Sequence, residues 1–280
     1  MFQNSYRPGG WTVLPPVVKN LLIINGVFFL ATITFQNVFH IDLADILGLH
    51  YFTAEKFSPY QFITYMFMHG GFSHILFNMF ALWMFGRILE GVWGPKRFLI
   101  YYIFTGIGAA IVHYVVFYFQ IYPVLDSVDT FLNNPSLTDF KEFLDTENFK
   151  IVSYEMQNNF NEFRNSYNAA IHSDQHKALQ LAVDYMGQYR IDFLNGPVVI
   201  GASGAVFGIL LAFGMLFPNS LLYIYFAFPI KAKYFVMIYG GIELFSGIYQ
   251  QGSNIAHFAH LGGMLFGFIL LKYWKKTKQI

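Results

Sequence analysis

From Phe98 to Phe119 the chain reads FLIYYIFTGIGAAIVHYVVFYF, 22 residues without one Asp, Glu, Lys or Arg. At about 1.5 Å per residue, a helix of that length reaches across the roughly 30 Å hydrocarbon core of a bilayer. Comparable stretches recur. Lys19 opens LLIINGVFFLATITF, His74 to Gly86 reads HILFNMFALWMFG, and Pro197 to Pro218 reads PVVIGASGAVFGILLAFGMLFP. Ala232 to Tyr249 and Ile255 to Trp274 supply two more, AKYFVMIYGGIELFSGIY and IAHFAHLGGMLFGFILLKYW. The His74 to Gly86 stretch crosses if its helix takes in a few residues on either side of that core. With 55% hydrophobic residues, 12% charged residues and a mean hydropathy of +0.43, the chain reads as an all-α polytopic membrane protein of six spanning helices.

The segments between the spans set the expected organisation. Residues 1–18 form a polar N-terminal segment, and the first span is read as an anchor and not a cleaved signal peptide, because further spans follow it. The stretch HIDLADILGLHYFTAEKFSPY mixes apolar and charged residues and suits an interfacial segment, with Tyr51, Phe52 and Tyr60 at headgroup level. Residues 19–121 then hold spans one to three, with a loop expected from Gly86 to Arg97. Residues 122–195 are polar, with eleven acids against five bases, and read as a water-exposed helical insert between the third and fourth spans. Ser136 followed by Asp139 suggests a capping box, and Ala178, Leu181, Ala182, Tyr185 and Met186 share one helical face. His172 and His176 are read as solvated surface. Residues 196–280 hold spans four to six and a basic tail. The inner segments of an N-terminus-in topology collect Arg7, Lys19, Arg87, Lys96, Arg97, Lys231, Lys233, Lys272, Lys275, Lys276 and Lys278. The positive-inside rule therefore places both termini in the cytoplasm and the insert outside.

Spans two, four and six then begin on the outer face, and each carries polar residues early: His74 and Asn78, Ser203, and His257 and His260. Ser203 and His260 are expected roughly 9 Å below the outer ends of their helices, at one depth. Polar side chains held at one level inside a bilayer point to an outward-opening polar pocket. Gly204 and Gly208 on span four, with Gly263 and Gly267 on span six, are small-xxx-small pairs that let two helix backbones approach closely. That approach would bring Ser203 to His260. His113 and Glu243, also ionisable and within spans, sit in no motif and are read as packed or hydrated bundle residues.

These residues resemble those of a known family. Gly201-Ala202-Ser203-Gly204 is similar to the GxSG motif of rhomboid intramembrane serine proteases, His74 to Asn78 resembles their HxxxN, and Ala259 to Gly267 resembles their AHxxGxxxG. Glu90, Gly94 and Arg97 also resemble the family's second span and following loop. The resemblance implies a six-helix rhomboid bundle, with Ser203 as nucleophile and His260 as general base in a dyad that needs no carboxylate. It implies that Asn78, His74 and the Ser203 backbone N–H stabilise the oxyanion. It also implies that His69 is structural or organises water, and that Phe207 packs on His260 where many members carry a tyrosine. Tyr60-Gln61 departs from the family's Trp-Arg, which leaves the anchoring of the first outer loop open.

The function so implied is cleavage of transmembrane protein substrates near their extracytoplasmic ends, in a multi-pass protein of the cell (inner) membrane. Its partners are those substrates and the lipid bilayer, with no metal, cofactor or nucleic acid. Absence of cysteine excludes thiol chemistry. The alternative is a rhomboid-like non-catalytic binder of transmembrane clients, against which intact Ser203 and His260 argue. A metal-dependent oxidase on His69, His74, His257 and His260 is a third reading, with too few histidine boxes to support it.

Overall fold

The computed structural model describes residues 14–224, 228–249 and 256–277. The first 13 residues of the expected N-terminal segment, including Arg7, lie outside them, as do the turn Gln250 to Asn254 and Lys278 of the basic tail.

Helix α1 (Pro16–Thr34) opens on a proline, whose missing N–H costs nothing in a first turn, and its N-cap Pro15 supplies no side-chain acceptor. The cap comes from a helix more than 70 residues away. Buried Glu90 accepts the Val17 N–H through Oε1 at 2.9 Å and the Val18 N–H through Oε2 at 2.8 Å. A carboxylate at the positive end of a helix satisfies two orphan donors at once. After a π-helical turn at Phe35–Phe39, the chain forms α2 (Leu43–Leu47), capped by Asp42, and later α3 (Gln61–Thr64).

Gln61 anchors this first loop. Its Oε1 accepts the His50 and Ser58 N–H groups, each at 3.2 Å, and its Nε2 donates to Ile46 O at 3.1 Å and Lys56 O at 2.9 Å. The anchoring question left by the Tyr60-Gln61 departure is thus answered by an uncharged, buried amide. Phe52 and Tyr60 are exposed as expected of interfacial aromatics, but Tyr51 is buried, edge-on to Tyr114 and Phe117 of α6 (Pro95–Asn133).

Helix α4 (Phe72–Ala81), a π-helical turn at Leu82–Gly86 and α5 (Arg87–Trp93) form one continuous rod. The loop expected from Gly86 to Arg97 shrinks to Gly94, whose φ of 79° breaks the helix just before Pro95 restarts it. Helix α6 then runs for 39 residues, through Pro123 and past the change to polar composition at 122. That change marks new surroundings for the helix and not its end.

Three helices follow: α7 (Leu137–Asp145), α8 (Tyr154–Ala170) and α9 (Gln175–Asn195). Each has a side-chain N-cap, with Ser136, Ser153 and Asp174 accepting from the N–H groups of Asp139, Met156 and Lys177. Of the face expected on α9, Ala178, Ala182, Tyr185 and Met186 are buried and Leu181 is half-buried. They meet an aromatic core in which Phe163 stacks on Tyr185 with centroids 4.3 Å apart. Burial pushes the Tyr189 phenol up to about 12, so it stays a donor, to Lys150 O at 2.9 Å. The same core takes in Tyr51 and Ala54 of the first loop and Ile121 and Val124 of α6.

The chain next runs extended, paired with the first loop through a bridge between Leu49 and Val199. Helix α10 (Ser203–Leu216) begins only at Ser203. The expectation of Ser203 about six residues inside a helix is therefore corrected: Gly201, at φ 127°, turns an extended segment into the helix start. A hairpin of β1 (Leu221–Ile224) and β2 (Phe228–Lys231) leads to α11 (Ala232–Tyr249) and, after residues outside the description, α12 (His257–Lys276).

Helices α6, α10 and α12 pack together at the centre. Outer helices expose apolar side chains, among them Ile23, Val27 and Leu30 on α1 and Met237, Ile242 and Phe245 on α11. The helical stretches 16–39, 72–93 and 95–133 are long and apolar enough to cross a membrane. This is a mostly helical, multi-pass integral membrane protein. Replacement Glu90→Gln removes one of the two acceptors at the α1 cap and strands a buried N–H. Thermal unfolding in detergent should show a loss of about 1–3 kcal/mol; an unchanged midpoint would mean that water caps α1 instead.

Candidate active site

The site is built where α10 meets α12 by backbone contact. A Cβ placed on Gly263 would overlap the carbonyl group of Gly204, and one on Gly204 would run into the Ala109 side chain of α6. The second glycine of each pair does a different job. Gly208 makes room for Thr105 and Gly267 for the Tyr101 hydroxyl, both on α6. Ser203 stands one residue before Gly204, and His260 three before Gly263, so this contact holds both side chains at one place. His260 Nε2 lies 2.8 Å from Ser203 Oγ.

The tautomer follows from the other ring nitrogen. His260 Nδ1 lies 2.8 Å from Glu243 Oε2 on α11, and a carboxylate oxygen can only accept. The ring proton therefore sits on Nδ1, leaving the Nε2 lone pair to accept from the Ser203 hydroxyl. His257 Nδ1, one helical turn earlier on α12, donates to the same Oε2 at 2.7 Å. Phe207 stacks flat on His260, with centroids 4.3 Å apart and planes 5° from parallel. The ring packing expected at that position is present without a hydroxyl.

In front of Ser203 lies a second polar group. A Cβ on Gly201 would fall 2.7 Å from His74 Nε2 and 3.5 Å from Ser203 Oγ, so only glycine keeps this space open. The Gly70 N–H donates to His74 Nδ1 at 3.4 Å, which leaves neutral His74 with its proton on Nε2, the nitrogen facing Gly201. Asn78 is buried and donates through Nδ2 to His74 O at 2.9 Å, so its amide is tied to its own helix. His69 packs edge-on against His74 at 5.0 Å. His113 stacks on Phe117, while His172 and His176 are exposed, as anticipated. Ser203, as the first residue of α10, carries a backbone N–H that no earlier helical carbonyl accepts.

Donor atoms of Glu243, His257 and His260 lie within 4.8 Å of one another, a group that excludes His69 and His74. The four-histidine set of the oxidase reading is not assembled as a unit. Glu243 is the residue that the sequence underrated: it is a buried carboxylate bonded to His260, not a bundle residue apart from the site. Its partners stand 14 and 17 residues away on another helix, outside any short motif. The usable signal was the charge itself, since a carboxylate among apolar residues requires hydrogen-bond donors at its own depth.

Serine, histidine and carboxylate from three helices of a multi-pass membrane protein thus meet at one place. The rhomboid domain matches residues 56–120 and 176–276, and the chain belongs to the rhomboid family. It is 31% identical to Rhomboid-like protein 11, chloroplastic, of Arabidopsis thaliana over 102 residues, covering 33% of this chain and 34% of that protein. Rhomboid-like protein 15 of the same plant is 27% identical over 107 residues, 38% of this chain and 26% of that one. Rhomboid protease GluP of Bacillus subtilis (strain 168) is 36% identical over 64 residues, 23% of this chain and 12% of that one. The chain thus spans between about an eighth and a third of the length of these curated relatives. The domain match pauses from 121 to 175 and resumes inside α9.

Because α12 touches α10 through backbone, Gly263→Ala should lower stability by about 1–3 kcal/mol and force the helices apart. Gly241→Ala is the control, since nothing lies within 4 Å of its Cβ position. It should be neutral or stabilising by up to about 1 kcal/mol. Thermal unfolding in one detergent compares them, and equal midpoints would refute the contact.

Proposed function

We propose that this protein is an intramembrane serine endopeptidase that cuts transmembrane protein substrates near their extracytoplasmic ends. The observation that carries the proposal is the 2.8 Å contact between Ser203 Oγ and His260 Nε2, with the lone pair on the side of the serine. In the reaction, Ser203 Oγ attacks the scissile carbonyl carbon while its proton passes to His260 Nε2. The C=O π pair moves to oxygen, where the Ser203 N–H, His74 Nε2–H and Asn78 amide are the proposed donors. Position one of α10 favours this role, because the positive end of the helix dipole faces the developing charge. The imidazolium then gives its proton to the leaving amine as the C–N bond breaks, and water hydrolyses the acyl-enzyme by the same route.

The proposed topology has six crossings: the three long helical stretches, then α10 with its extended lead-in, α11 and α12. Both termini face the cytoplasm of a cell (inner) membrane, following the distribution of basic residues. Helix α10 spans about 21 Å at 1.5 Å per residue, and the extended residues before it cover the remaining depth. Polar residues 122–195 form the proposed extracytoplasmic insert, a docking or gating element for the part of a substrate outside the bilayer. Its shared core with the first loop, and the Lys56 N–H bonded to Asn195 Oδ1 at 3.2 Å, support a location beside the site entrance.

Purified protein should label covalently with a fluorophosphonate and cleave a model transmembrane substrate. Ser203→Ala and His260→Ala should each abolish cleavage in a folded protein, whereas His257→Ala retains measurable activity. In the same assay Asn78→Ala should slow turnover about 10- to 1,000-fold. Activity surviving in His260→Ala but lost in His257→Ala would reassign the base, and no labelling of Ser203 in the wild type would favour a non-catalytic client binder.

Replacing residues 126–190 by a short Gly/Ser linker tests the insert. Labelling of Ser203 should persist, while the relative rates for substrates that differ only in their outer juxtamembrane segments change. Constant relative rates would sink the docking role, and loss of labelling would make the insert part of the catalytic fold.

A further inference from the structure

Resting on the protease reading above, we propose that Glu243 is a positioning residue for catalysis, turning the Ser203–His260 pair into a serine–histidine–glutamate triad spread over α10, α12 and α11. Three independent features of the chain converge on it.

The first is chemical placement. Glu243 Oε2 faces the nitrogen of His260 that does not face Ser203, at 2.8 Å, in a side chain that is 12% exposed. A carboxylate there fixes the ring rotation and holds the proton on Nδ1, so that Nε2 is always the acceptor. When Ser203 Oγ bonds to the substrate carbonyl and its proton moves to Nε2, the ring becomes a cation between Nε2–H and Nδ1–H. The carboxylate stays ionised and stabilises that cation until Nε2 hands the proton to the leaving amine. No proton needs to reach Glu243, and the protons balance at every step.

The second is the device that holds the carboxylate. His257 Nδ1 donates to the same Oε2 at 2.7 Å, with the two imidazole planes 89° apart. Glu243 is thereby gripped by one histidine while it orients the other. This assigns a job to His257 that is distinct from being the base, and it accords with the partial activity expected of His257→Ala.

The third is written into α11. Gly240 and Gly247 stand three residues before and four after Glu243, on the same face of the helix. A Cβ on Gly240 would sit 3.3 Å from Met264 Cε, and one on Gly247 would sit 2.9 Å from the Phe258 ring and 3.3 Å from His257 Cβ. Both glycines thus let α12 lie close against α11 on either side of the carboxylate. Without that approach a glutamate would not reach two histidines of the neighbouring helix.

A purely structural clamp and a catalytic positioning group differ in what they change. Glu243→Gln keeps the shape and can keep a hydrogen bond, but it loses the charge and can present its amide nitrogen to Nδ1, driving the ring proton onto Nε2. The proposal expects kcat on a transmembrane substrate to fall by about 10²-fold or more with KM within about threefold of wild type and the thermal midpoint retained. Should the variant not fold, histidine-selective ¹⁵N labelling of the wild type gives the second measurement. A downfield Nδ1–H proton assigned to His260 by its loss in His260→Ala is expected, and its absence overturns the proposal. A folded Glu243→Gln with wild-type kcat also overturns it, as does a rise in KM with kcat unchanged. If the wild type neither labels at Ser203 nor cleaves, the protease reading fails first, a result distinct from an active wild type that is indifferent to Glu243.

Discussion

The backbone contact between Gly204 and Gly263 is the constraint on which the remaining architecture depends. Inside a bilayer no hydrophobic force drives one apolar helix against another, because lipid tails are as apolar as the side chains they would replace. Association rests on close packing, and a helix pair without Cβ atoms at the crossing can pack backbone to backbone. Here that crossing sits within three residues of both Ser203 and His260. A shift of one residue along α10 would rotate Ser203 by about 100° and lose the histidine altogether. Helix α6 completes the arrangement by filling the second glycine notch on each partner, with Thr105 at Gly208 and the Tyr101 hydroxyl at Gly267. Tyr101 also donates to Gly208 O at 2.9 Å, so the third helix ties the two that carry Ser203 and His260.

A second constraint acts from outside the bundle. Ser203 is useful at the first position of α10 only if the preceding chain arrives from a defined direction. The bridge between Leu49 and Val199, and the Gly201 N–H donated to Tyr65 O at 2.9 Å, fix that direction. Both contacts come from the first loop region, which Gln61 holds in shape through four backbone hydrogen bonds. The loop also shares its core with α7–α9 through Tyr51 and Ala54. Disturbance of the polar helices therefore has a short physical route to the entrance of the site. It runs through Tyr51 and the Leu49 bridge to Gly201.

Much of this was readable in the chain. Apolar length placed the start of α11 to the residue and α12 to within two, and small residues at four-residue spacing foretold the approach of α10 to α12. Phe207 was placed on His260 from a motif position alone. What escaped reading has a common cause, which is that hydropathy reports surroundings and not backbone conformation. Residues 197–201 are as apolar as the helix they precede, so nothing in their composition separated a non-helical lead-in from a helical turn; only Gly201 hinted at it. The same blindness made a loop of 86–97, where charged Arg87, Glu90, Lys96 and Arg97 lie on helices broken at Gly94 alone. Glu90 read as a loop acid because its partners, the first N–H groups of α1, are backbone atoms that no sequence pattern advertises.

Glu243 shows how a buried charge can be supported without a cation. Its ionic partners among the described residues are His257 and His260 alone, with no Lys or Arg in reach. A lysine in that place would neutralise the carboxylate fully and permanently, and the carboxylate would then have little left to offer a histidine that gains charge in the proposed reaction. Two imidazole N–H donors solvate the charge without cancelling it. The negative potential stays directed at the His260 ring, and in the proposed reaction its effect is largest when the ring becomes positive, since an apolar bundle screens charges weakly. The expense of placing a carboxylate in such a setting argues against its being incidental packing, because an apolar residue would hold α11 against α12 more cheaply. Charge left uncancelled in a weakly screened site is an arrangement suited to a group that becomes a cation only in passing.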